Sequence, residues 1–455
     1  MEGDKGEMMN TNNLTEGSIL KKLCLFAVPF FIANVFQSVY GAVDLFVVGR
    51  YCDAARVAAV STGTQVTQII TSLVSGLTLG STILVGKYMG MKNMERVKRM
   101  IGTSLSLFAI VSVVLTILML VFERPLLQVL GTPEEAFTLT MQYVAICSWG
   151  IFFICGYNSI CAILRGYGDS RHPMYFVGIS CVLNIGLDFL LVKGFGMGVA
   201  GTAIATVASQ GVSMLIALWF LRKNQFVFDF KINSFRIDGG LARELAGVGI
   251  PISFQEMMVR ISFLYLMTVM NHCGVYAASI VGISSKYDVF AMLSATSMAN
   301  ALAAITAQNM GAGKPERARK SLWYGMSFAL IVSCMFWVWA QISPESMIGL
   351  FSSDPEVIST GIPFFKSCSY DYICVAVVFC LNGYLNGRSK TVWTMVSCTF
   401  GALALRIPMV WYFGNHFADN LSMLGKIAPF VSGIMAVYTL VYVLYEGKNN
   451  ERRGH

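Results

Sequence analysis

The first half of the chain carries a few oxygen-bearing side chains in otherwise apolar surroundings. Asp44 is the only charged residue in the interior of the first apolar run, and Asp188 follows Asn184 by one helical turn. On a helix that spacing places both side chains on one face, as it does for Thr202 and Thr206. Carboxylate, amide and hydroxyl oxygens suit small hard cations, and two carboxylates that share a site can hold one proton between them at neutral pH. These residues therefore predict a site for H⁺ or Na⁺, with Asp44, Asn184 and Asp188 as candidate Na⁺ ligands.

Charged residues also lie inside apolar runs of the second half, but there acids are mixed with bases: Glu256, Arg260, Lys286, Asp288, Lys366, Asp371 and Arg406. An ionisable residue in such a run is costly, so each is a candidate for a functional role. Glu256 and Arg260 are spaced by one helical turn, which favours an ion pair. Two roles stay open, binding of a small-molecule substrate or stabilisation of the fold, for four of these residues: Glu256, Arg260, Asp371 and Arg406.

The composition indicates which class of protein must position these residues. Of 455 residues, 55% are hydrophobic and 13% are charged, whereas a soluble domain carries about 25% charged residues. The mean hydropathy is +0.63. These values exclude a disordered chain, a nucleic-acid binder built on basic patches and an ordinary soluble enzyme. The 12 cysteines and 4 histidines are dispersed, without the spacing of a disulfide framework or a metal cluster, so we expect no resident cofactor.

Twelve apolar runs are long enough to cross a bilayer, since a hydrocarbon core about 30 Å thick needs about 20 apolar residues per helix. They cover approximately residues 19–48, 57–86, 101–122, 137–164, 173–192, 195–221, 245–271, 275–306, 321–342, 357–386, 391–415 and 427–445. The sequence therefore predicts an all-α integral membrane protein with twelve transmembrane helices, surrounded by the lipid bilayer.

These runs divide the chain into five predicted segments. They are a tail at 1–18, an N-lobe of helices 1–6 at 19–222, a linker at 223–244, a C-lobe of helices 7–12 at 245–446 and a tail at 447–455. The loops that follow even-numbered helices hold most of the Lys and Arg residues found in loops. Because cytoplasmic loops carry an excess of these residues, we expect both termini in the cytoplasm.

The two halves of the chain resemble each other at a nearly constant offset in residue number. The recurring pairs are Pro29 and Pro251, Met89 and Met310, Gly90 and Gly311, Glu95 and Glu316, Arg96 and Arg317, and Gly166 and Gly387. Each half has an even number of runs, so both halves enter the membrane in the same direction. We therefore expect two lobes related by a pseudo-twofold axis along the membrane normal, an architecture common among secondary transporters.

Several of these stretches resemble the MATE (multidrug and toxic compound extrusion) transporters. They are the run from Pro29 through Asp44 to Gly49, Leu164-Arg-Gly166, Asn184-x-x-x-Asp188 and Gln308-Asn-Met-Gly-Ala-Gly313. The resemblance covers about residues 17–446 and favours the bacterial DinF-like branch. It implies twelve helices in two six-helix lobes, no enzymatic activity, and a place in the bacterial plasma (inner) membrane. The implied function is multidrug efflux: export of organic cations or other drugs by alternating access, in exchange for H⁺ or Na⁺.

In that branch the resemblance implies an N-lobe cation site, whose members here are Asp44, Asn158, Asn184, Asp188 and Thr206. Of these five residues, only Asn158 is assigned to the site mainly because of the resemblance. Other branches of the family carry coupling acids in the C-lobe, at positions where this chain has Val259 and Val375. A coupling site in the C-lobe is therefore not expected.

Pro29 precedes Asp44 in the first run. Proline removes a backbone donor and allows a bend in a helix, so we predict that Pro29 is a hinge. An alternative function is a flippase for a lipid-linked saccharide or another amphiphile, which Arg260, Lys286 and Arg406 keep open. A membrane enzyme and a channel are disfavoured, since no reactive cluster is present and the acids suited to coupling lie in one lobe. We expect a functional monomer that acts on a small-molecule substrate and binds no nucleic acid.

Overall fold

The structure, a computed structural model, describes residues 13–224, 226–352, 354–417 and 420–453, and these are almost entirely helical. The helices are α1 (Ile19–Tyr51), α2 (Ala54–Gly90), α3 (Met94–Val129), α4 (Glu134–Trp149), α5 (Ile151–Tyr167), α6 (Arg171–Asp188), α7 (Gly198–Lys223), α8 (Gly239–His272), α9 (Val275–Gly311), α10 (Pro315–Ile342), α11 (Pro344–Gly349), α12 (Pro355–Cys368), α13 (Tyr370–Gly387), α14 (Thr391–Thr399), α15 (Ile407–His416) and α16 (Leu421–Arg453). π-helical turns cover Phe189–Gly194 and Phe400–Arg406, and a 3₁₀ turn covers Ile232–Ser234. Of the predicted tails, residues 1–12 and 454–455 lie outside the described residues.

Within the described residues, ten helical segments are long and apolar enough to cross a membrane. An eleventh is formed by α4 and α5, which meet at Gly150 with a bend of 49°. The twelfth expected span corresponds to α8, which has 34 residues but is more polar because Glu256 and Arg260 lie in its middle. The all-α, multi-pass membrane class that the sequence predicts is confirmed.

Side chains at the helix ends satisfy backbone N–H groups that lack a partner within the helix. The Asp53 carboxylate accepts a hydrogen bond from the Arg56 N–H at 2.9 Å at the start of α2. The Asn93 amide oxygen accepts one from the Arg96 N–H at 3.0 Å at the start of α3. Gly168 ends α5 in the left-handed conformation, with φ of 102°, which glycine adopts at little cost. These caps allow consecutive long helices to be joined by short connections.

The helices form two compact units. The first unit comprises the described part of Met1–Gly17, together with Val28–Ser253 and Gly311–Gly313. The second unit comprises Ser18–Ala27, Phe254–Met310 and the described part of Lys314–His455.

Two long helices change unit close to a proline in their interior. In α1 the change falls between Ala27 and Val28, just before Pro29. In α8 it falls after Ser253, shortly beyond Pro251. The recurrence of Pro29 as Pro251 therefore marks equivalent places in the two halves of the fold.

A close helix contact recurs in the two units at one of the repeated pairs of glycines. A Cβ at Gly166 would lie 2.6 Å from the Thr82 carbonyl oxygen, and a Cβ at Gly387 would lie 2.6 Å from the Ala303 carbonyl oxygen. Only glycine permits a backbone approach this close. Each unit thus has a glycine at this repeated position, where one helix packs closely against another.

Candidate functional site

Four of the five residues of the predicted N-lobe site are buried in the first unit. Asp44 lies in α1, Asn184 and Asp188 lie in the last turns of α6, and Thr206 lies in α7; each side chain is at most 6% exposed. α6 ends at Asp188 and continues as the π-helical turn Phe189–Gly194. Such turns are frequent at functional sites because they change the direction of side chains along a helix. The π-helical turn directly after Asp188 therefore supports an orientation of the Asp188 side chain towards α1.

The side chains of three helices meet at this site. The Asp44 carboxyl group lies against the side chains of Asp188 and Asn184. The Asn184 amide donates to the Thr206 hydroxyl oxygen at 3.5 Å, and the Thr206 hydroxyl donates to the Thr202 carbonyl oxygen at 3.1 Å. Two carboxyl groups, one amide and one hydroxyl are thus brought together by α1, α6 and α7.

Several buried oxygens at this site have no hydrogen-bond donor among the described residues. They are one oxygen of Asp44, the amide oxygen of Asn184 and both carboxyl oxygens of Asp188. Buried polar atoms in proteins are almost always paired, because an unpaired one costs about 1–3 kcal/mol. These oxygens are therefore well suited to accept a proton or to coordinate a small cation.

The groups around the two carboxyls are polar but uncharged. The charge of Asp44 acts on three nearby side chains, those of Tyr40, Cys147 and Cys181. Among the described residues, no Lys or Arg acts on either Asp44 or Asp188. Two carboxyls without a basic partner can be neutralised by H⁺ or by Na⁺. Tyr40 and the two cysteines did not stand out in the sequence, since apolar helices commonly contain such residues.

Asn158 and Pro29 lie elsewhere in the first unit. The Asn158 amide donates to the Ile154 carbonyl oxygen, one turn earlier in α5, at 2.8 Å. No hydrogen bond joins Asn158 to the carboxyl pair in the described part of the chain, so the structure does not bring it into this cluster. Pro29 is buried in the interior of α1, several turns before Asp44.

The charged residues of the second unit fall into an exposed pair and a buried group. Glu256 and Arg260 interact one turn apart in α8, and both side chains are exposed. Asp371 and Arg406 are buried, and the positive charge of Arg406 acts on Asp371. The basic residue near Asp371 is thus Arg406, whereas Lys366, which the spacing placed loosely near it, is exposed.

The buried group of the second unit includes both polar and aromatic contacts. Arg406 donates from Nη1 to the Ser262 hydroxyl at 3.1 Å, and its guanidinium lies 4.2 Å from the centre of the Phe263 ring. Asp288 also lies close enough to Asp371 for their charges to interact. This unit therefore combines two acids with a base, unlike the carboxyl pair of the first unit.

The donors of the first-unit site favour a monovalent ion or a proton. No group of three or more His, Cys, Asp or Glu side chains able to hold a metal ion occurs among the described residues. The site instead offers two carboxyls with amide and hydroxyl oxygens, and it is enclosed by helices of membrane-spanning length. A buried pair of carboxyls in a multi-pass helical protein with an internal repeat matches the architecture common among secondary transporters.

The chain belongs to the MatE family, whose model matches residues 29–190 and again residues 251–412. The two matches have the same length and begin at Pro29 and Pro251, which agrees with the internal repeat found in the sequence. The MATE resemblance found in the sequence is confirmed, and the chain is a transporter and not an enzyme.

Relatives of similar length support this assignment. The chain is 26% identical over 447 residues to the probable multidrug resistance protein YoeA of Bacillus subtilis (strain 168), covering 97% of this chain and 96% of YoeA. It is 27% identical over 431 residues to the probable multidrug resistance protein YpnP of the same strain, covering 94% and 96%. A crystal structure described as MATE in the bent conformation matches 97% of this chain and 98% of its own, with a TM-score of 0.90 at 20% identity. This structure therefore has the same fold as the present chain.

Proposed function

We propose that the protein exports organic, mainly cationic, small molecules in exchange for H⁺ or Na⁺. The observation that carries this proposal is the buried Asp44–Asp188 pair, on which no Lys or Arg acts among the described residues. The names of YoeA and YpnP, both probable multidrug resistance proteins, support drugs as the exported class. The protein needs no resident cofactor in this proposal, because the coupling ion itself enters and leaves the site.

Ion binding at this pair would drive transport by changing the charge inside the membrane. When the site is empty, Asp44 and Asp188 bring two carboxyls together in an apolar interior, where like charges repel strongly. A proton or Na⁺ removes part of that charge and so favours a different packing of α1, α6 and α7. A ligand that stabilises one packing over another shifts the population between them, which is the basis of alternating access.

We propose that α1 bends at Pro29 during this cycle. The proline leaves a backbone carbonyl one turn earlier without its helical donor, so bending costs less there than elsewhere in α1. The change of unit just before Pro29 supports this position for the bend.

Two further parts of the proposal concern the orientation of the chain in the membrane and its oligomeric state. We propose that both termini face the cytoplasm of a bacterium, because the basic residues of the loops concentrate on that side. We also propose that the monomer is the functional form, since all four clustered site residues come from one chain. Crosslinking and mass measurement in lipid nanodiscs would test the monomer.

The experiment that tests the exchange uses purified protein in liposomes. A cationic dye is supplied, and a pH gradient or a Na⁺ gradient is imposed in separate samples. We expect one gradient to drive dye transport and expect Asp44→Asn and Asp188→Asn to abolish it while both variants remain folded. Glu95→Gln is the control, because it removes a carboxylate that is exposed on the surface of the same unit.

The outcomes separate the two candidate ions and the alternative function. Transport driven by only one gradient identifies the coupling ion. Wild-type transport in either Asn variant would show that the carboxyl pair is not the coupling site. Movement of a lipid-linked saccharide without any gradient-driven dye transport would favour a flippase instead.

A further inference from the structure

A groove of about 560 Å³ opens on the surface of the second unit between α12 and α16. Its lining includes Lys366 and Ser367 of α12 and Ser422, Lys426 and Pro429 of α16. The two lysines are the only charged residues among the described residues that line it. The groove is separate from the carboxyl pair of the first unit, and neither lysine has a part in the proposed exchange.

A close contact between α12 and α16 holds the two lysines at the same level. The Ser367 and Ser422 hydroxyl oxygens are 2.8 Å apart. A Cβ at Gly425 would lie 3.0 Å from the Phe364 carbonyl oxygen, so the two backbones approach closely there. Lys366 is next to Ser367, and Lys426 is next to Gly425, so one lysine extends from each helix beside this contact.

Both lysines are exposed within segments that have the hydropathy of membrane spans. Lys366 lies in the segment Pro355–Gly387 and Lys426 in Leu421–Gly447, both of which are long and apolar enough to cross a membrane. Neither lysine is paired with an acid in the described part of the chain. A lysine on a lipid-facing surface is costly unless its ammonium reaches the headgroup region or meets an anion. Two such lysines beside one groove point to a bound anion.

The groove continues as an apolar surface along α16. A second groove shares Pro429 with the first and is otherwise lined by Phe430, Gly433, Ile434, Val437 and Tyr438. These residues follow Lys426 at helical spacing, so they form one stripe along α16. Phe430 is 55% exposed and Val437 is 65% exposed, so the stripe is open to whatever surrounds the helix. A cationic end joined to an apolar stripe matches an amphiphile with an anionic head.

We propose that this groove, which we call the α12–α16 groove, binds an anionic phospholipid. The phosphate lies between the ammonium groups of Lys366 and Lys426, with the Ser422 hydroxyl within the same groove. One acyl chain lies along the stripe from Phe430 to Val437. The lipid thereby neutralises two basic side chains that the described part of the chain leaves without acidic partners.

The test measures retained lipid by native mass spectrometry of the full chain. The protein is purified in a mild detergent and supplied with either phosphatidylglycerol or phosphatidylcholine. We expect phosphatidylglycerol to be preferred, and Lys366→Gln or Lys426→Gln to weaken its binding about fivefold each and about thirtyfold together. Lys286→Gln is the matched control, because Lys286 is also exposed within a membrane-spanning segment of this unit but lies outside the groove.

A second variant tests the acyl-chain part of the groove. A Cβ at Gly433 would meet only the Cys374 sulfur at 3.8 Å, so a larger side chain can be accommodated there and would extend along the stripe. We expect Gly433→Phe to reduce phosphatidylglycerol binding while the double lysine-to-arginine variant, Lys366→Arg with Lys426→Arg, retains it. If the double glutamine variant does not fold, Gly433→Phe still decides the proposal.

Three results would overturn the proposal. The first is full retention of phosphatidylglycerol by the double glutamine variant. The second is an equal loss in Lys286→Gln, which would indicate a nonspecific charge effect. The third is lysine-dependent binding of inorganic phosphate together with unchanged lipid binding in Gly433→Phe, which would identify a site for free phosphate instead of a lipid.

Discussion

The guanidinium of Arg406 lies close enough to the buried Asp371 carboxyl for its positive charge to act on that acid. In the first unit no basic residue among the described ones acts on Asp44 or Asp188, and the Asn184 amide lies beside the Asp44 carboxyl instead. One repeat therefore keeps its acids free of a basic neighbour, whereas the other compensates its acid with a fixed positive charge. This difference gives a physical reason for placing the proposed ion coupling in the first unit.

We predict that Arg406→Gln destabilises the protein. The substitution leaves the buried Asp371 without its positive charge beside a second acid, the half-buried Asp288, and it removes the donor to Ser262. Loss of such buried contacts costs about 1–3 kcal/mol, so the temperature of unfolding in detergent should fall. Adding Asp371→Asn to this variant should recover part of the loss.

Arg260→Gln is the control for that measurement, because Arg260 is exposed. A change at an exposed site usually alters the free energy of unfolding by no more than about 0.5 kcal/mol. Equal destabilisation by Arg406→Gln and Arg260→Gln would contradict a special role for the buried guanidinium.

We predict that Thr206→Val weakens the apparent affinity for the coupling ion. The Thr206 hydroxyl oxygen accepts a hydrogen bond from Asn184, so its removal leaves the amide less firmly held beside the carboxyl pair. A single hydrogen bond contributes about 0.5–1.5 kcal/mol, which corresponds to an affinity change of about two- to tenfold. The ion concentration that gives half-maximal dye transport measures this effect.

Thr202→Val provides the matched control for Thr206→Val. Thr202 is also buried in α7, one turn earlier, but its hydroxyl donates to the Gly198 carbonyl oxygen of its own helix. We expect its ion dependence to remain that of the wild type. Equal shifts in the two variants would mean that loss of any hydroxyl from this face of α7 is sufficient.

The sequence predicts parts of the candidate site that depend on helical spacing. Asn184 and Asp188 are one turn apart in α6, so their common face follows from the helix alone. The approach of Asp44 to Asp188 joins residues that are far apart in the chain, and no local pattern specifies such a contact. Residue types alone put Asp44 and Thr206 in the same predicted site, and the structure brings both close to Asn184. The residue that the MATE resemblance added, Asn158, bonds within α5 instead.

Spacing alone does not determine burial or the continuity of a helix. Glu256 and Arg260 have ion-pair spacing, but whether they are buried depends on how α8 packs, and both are exposed. The run 137–164 reads as one span, but the chain bends at Gly150 between α4 and α5. At this bend the chain packs closely against α7, since a Cβ at Gly150 would lie 2.3 Å from a Val207 methyl carbon, and spacing in the sequence does not reveal such a contact.

We predict that Glu244 stabilises the protein in a pH-dependent way. Glu244 lies before the expected seventh span and accepts hydrogen bonds from the Lys87 ammonium at 2.9 Å and from the Tyr88 hydroxyl. Burial alone would raise the pKa of Glu244, but these hydrogen bonds and the Lys87 charge outweigh it and hold the pKa below its ordinary value. A carboxylate with a lowered pKa stabilises the folded state above its unfolded pKa and loses that effect as the pH falls through its folded pKa.

The comparison of wild type with Glu244→Gln measures this contribution. We expect the wild type to unfold at a higher temperature above about pH 5, and the difference to shrink as the pH falls below about 4.3, the ordinary pKa of Glu. Glu95→Gln should show little change with pH, because its pair with Arg99 is exposed. A difference for Glu244→Gln that stays constant across this range would mean that its charge is not responsible.

Pro29 provides the last prediction, which concerns movement of α1 within the first unit. Pro29→Ala restores a backbone N–H and so allows the hydrogen bond to the Leu25 carbonyl that proline prevents. Helical propensity favours alanine over proline by about 3 kcal/mol in a helix interior, so the variant should favour a straight α1. We expect it to fold but to lose the response of α1 to the coupling ion.

The response can be followed as the distance between spin labels at Phe46 in α1 and Val182 in α6, both of which are highly exposed. The labels should be attached through unnatural amino acids, since the chain contains 12 cysteines. In the wild type we expect the distance to change between about pH 5 and about pH 8, or on addition of Na⁺, because neutralising the carboxyl pair shifts the population of two packings. The shift should be absent in Pro29→Ala and preserved in Pro125→Ala, which makes the same replacement inside α3 of the same unit. An undiminished shift in Pro29→Ala would mean that Pro29 is a static kink and that α1 moves about another point.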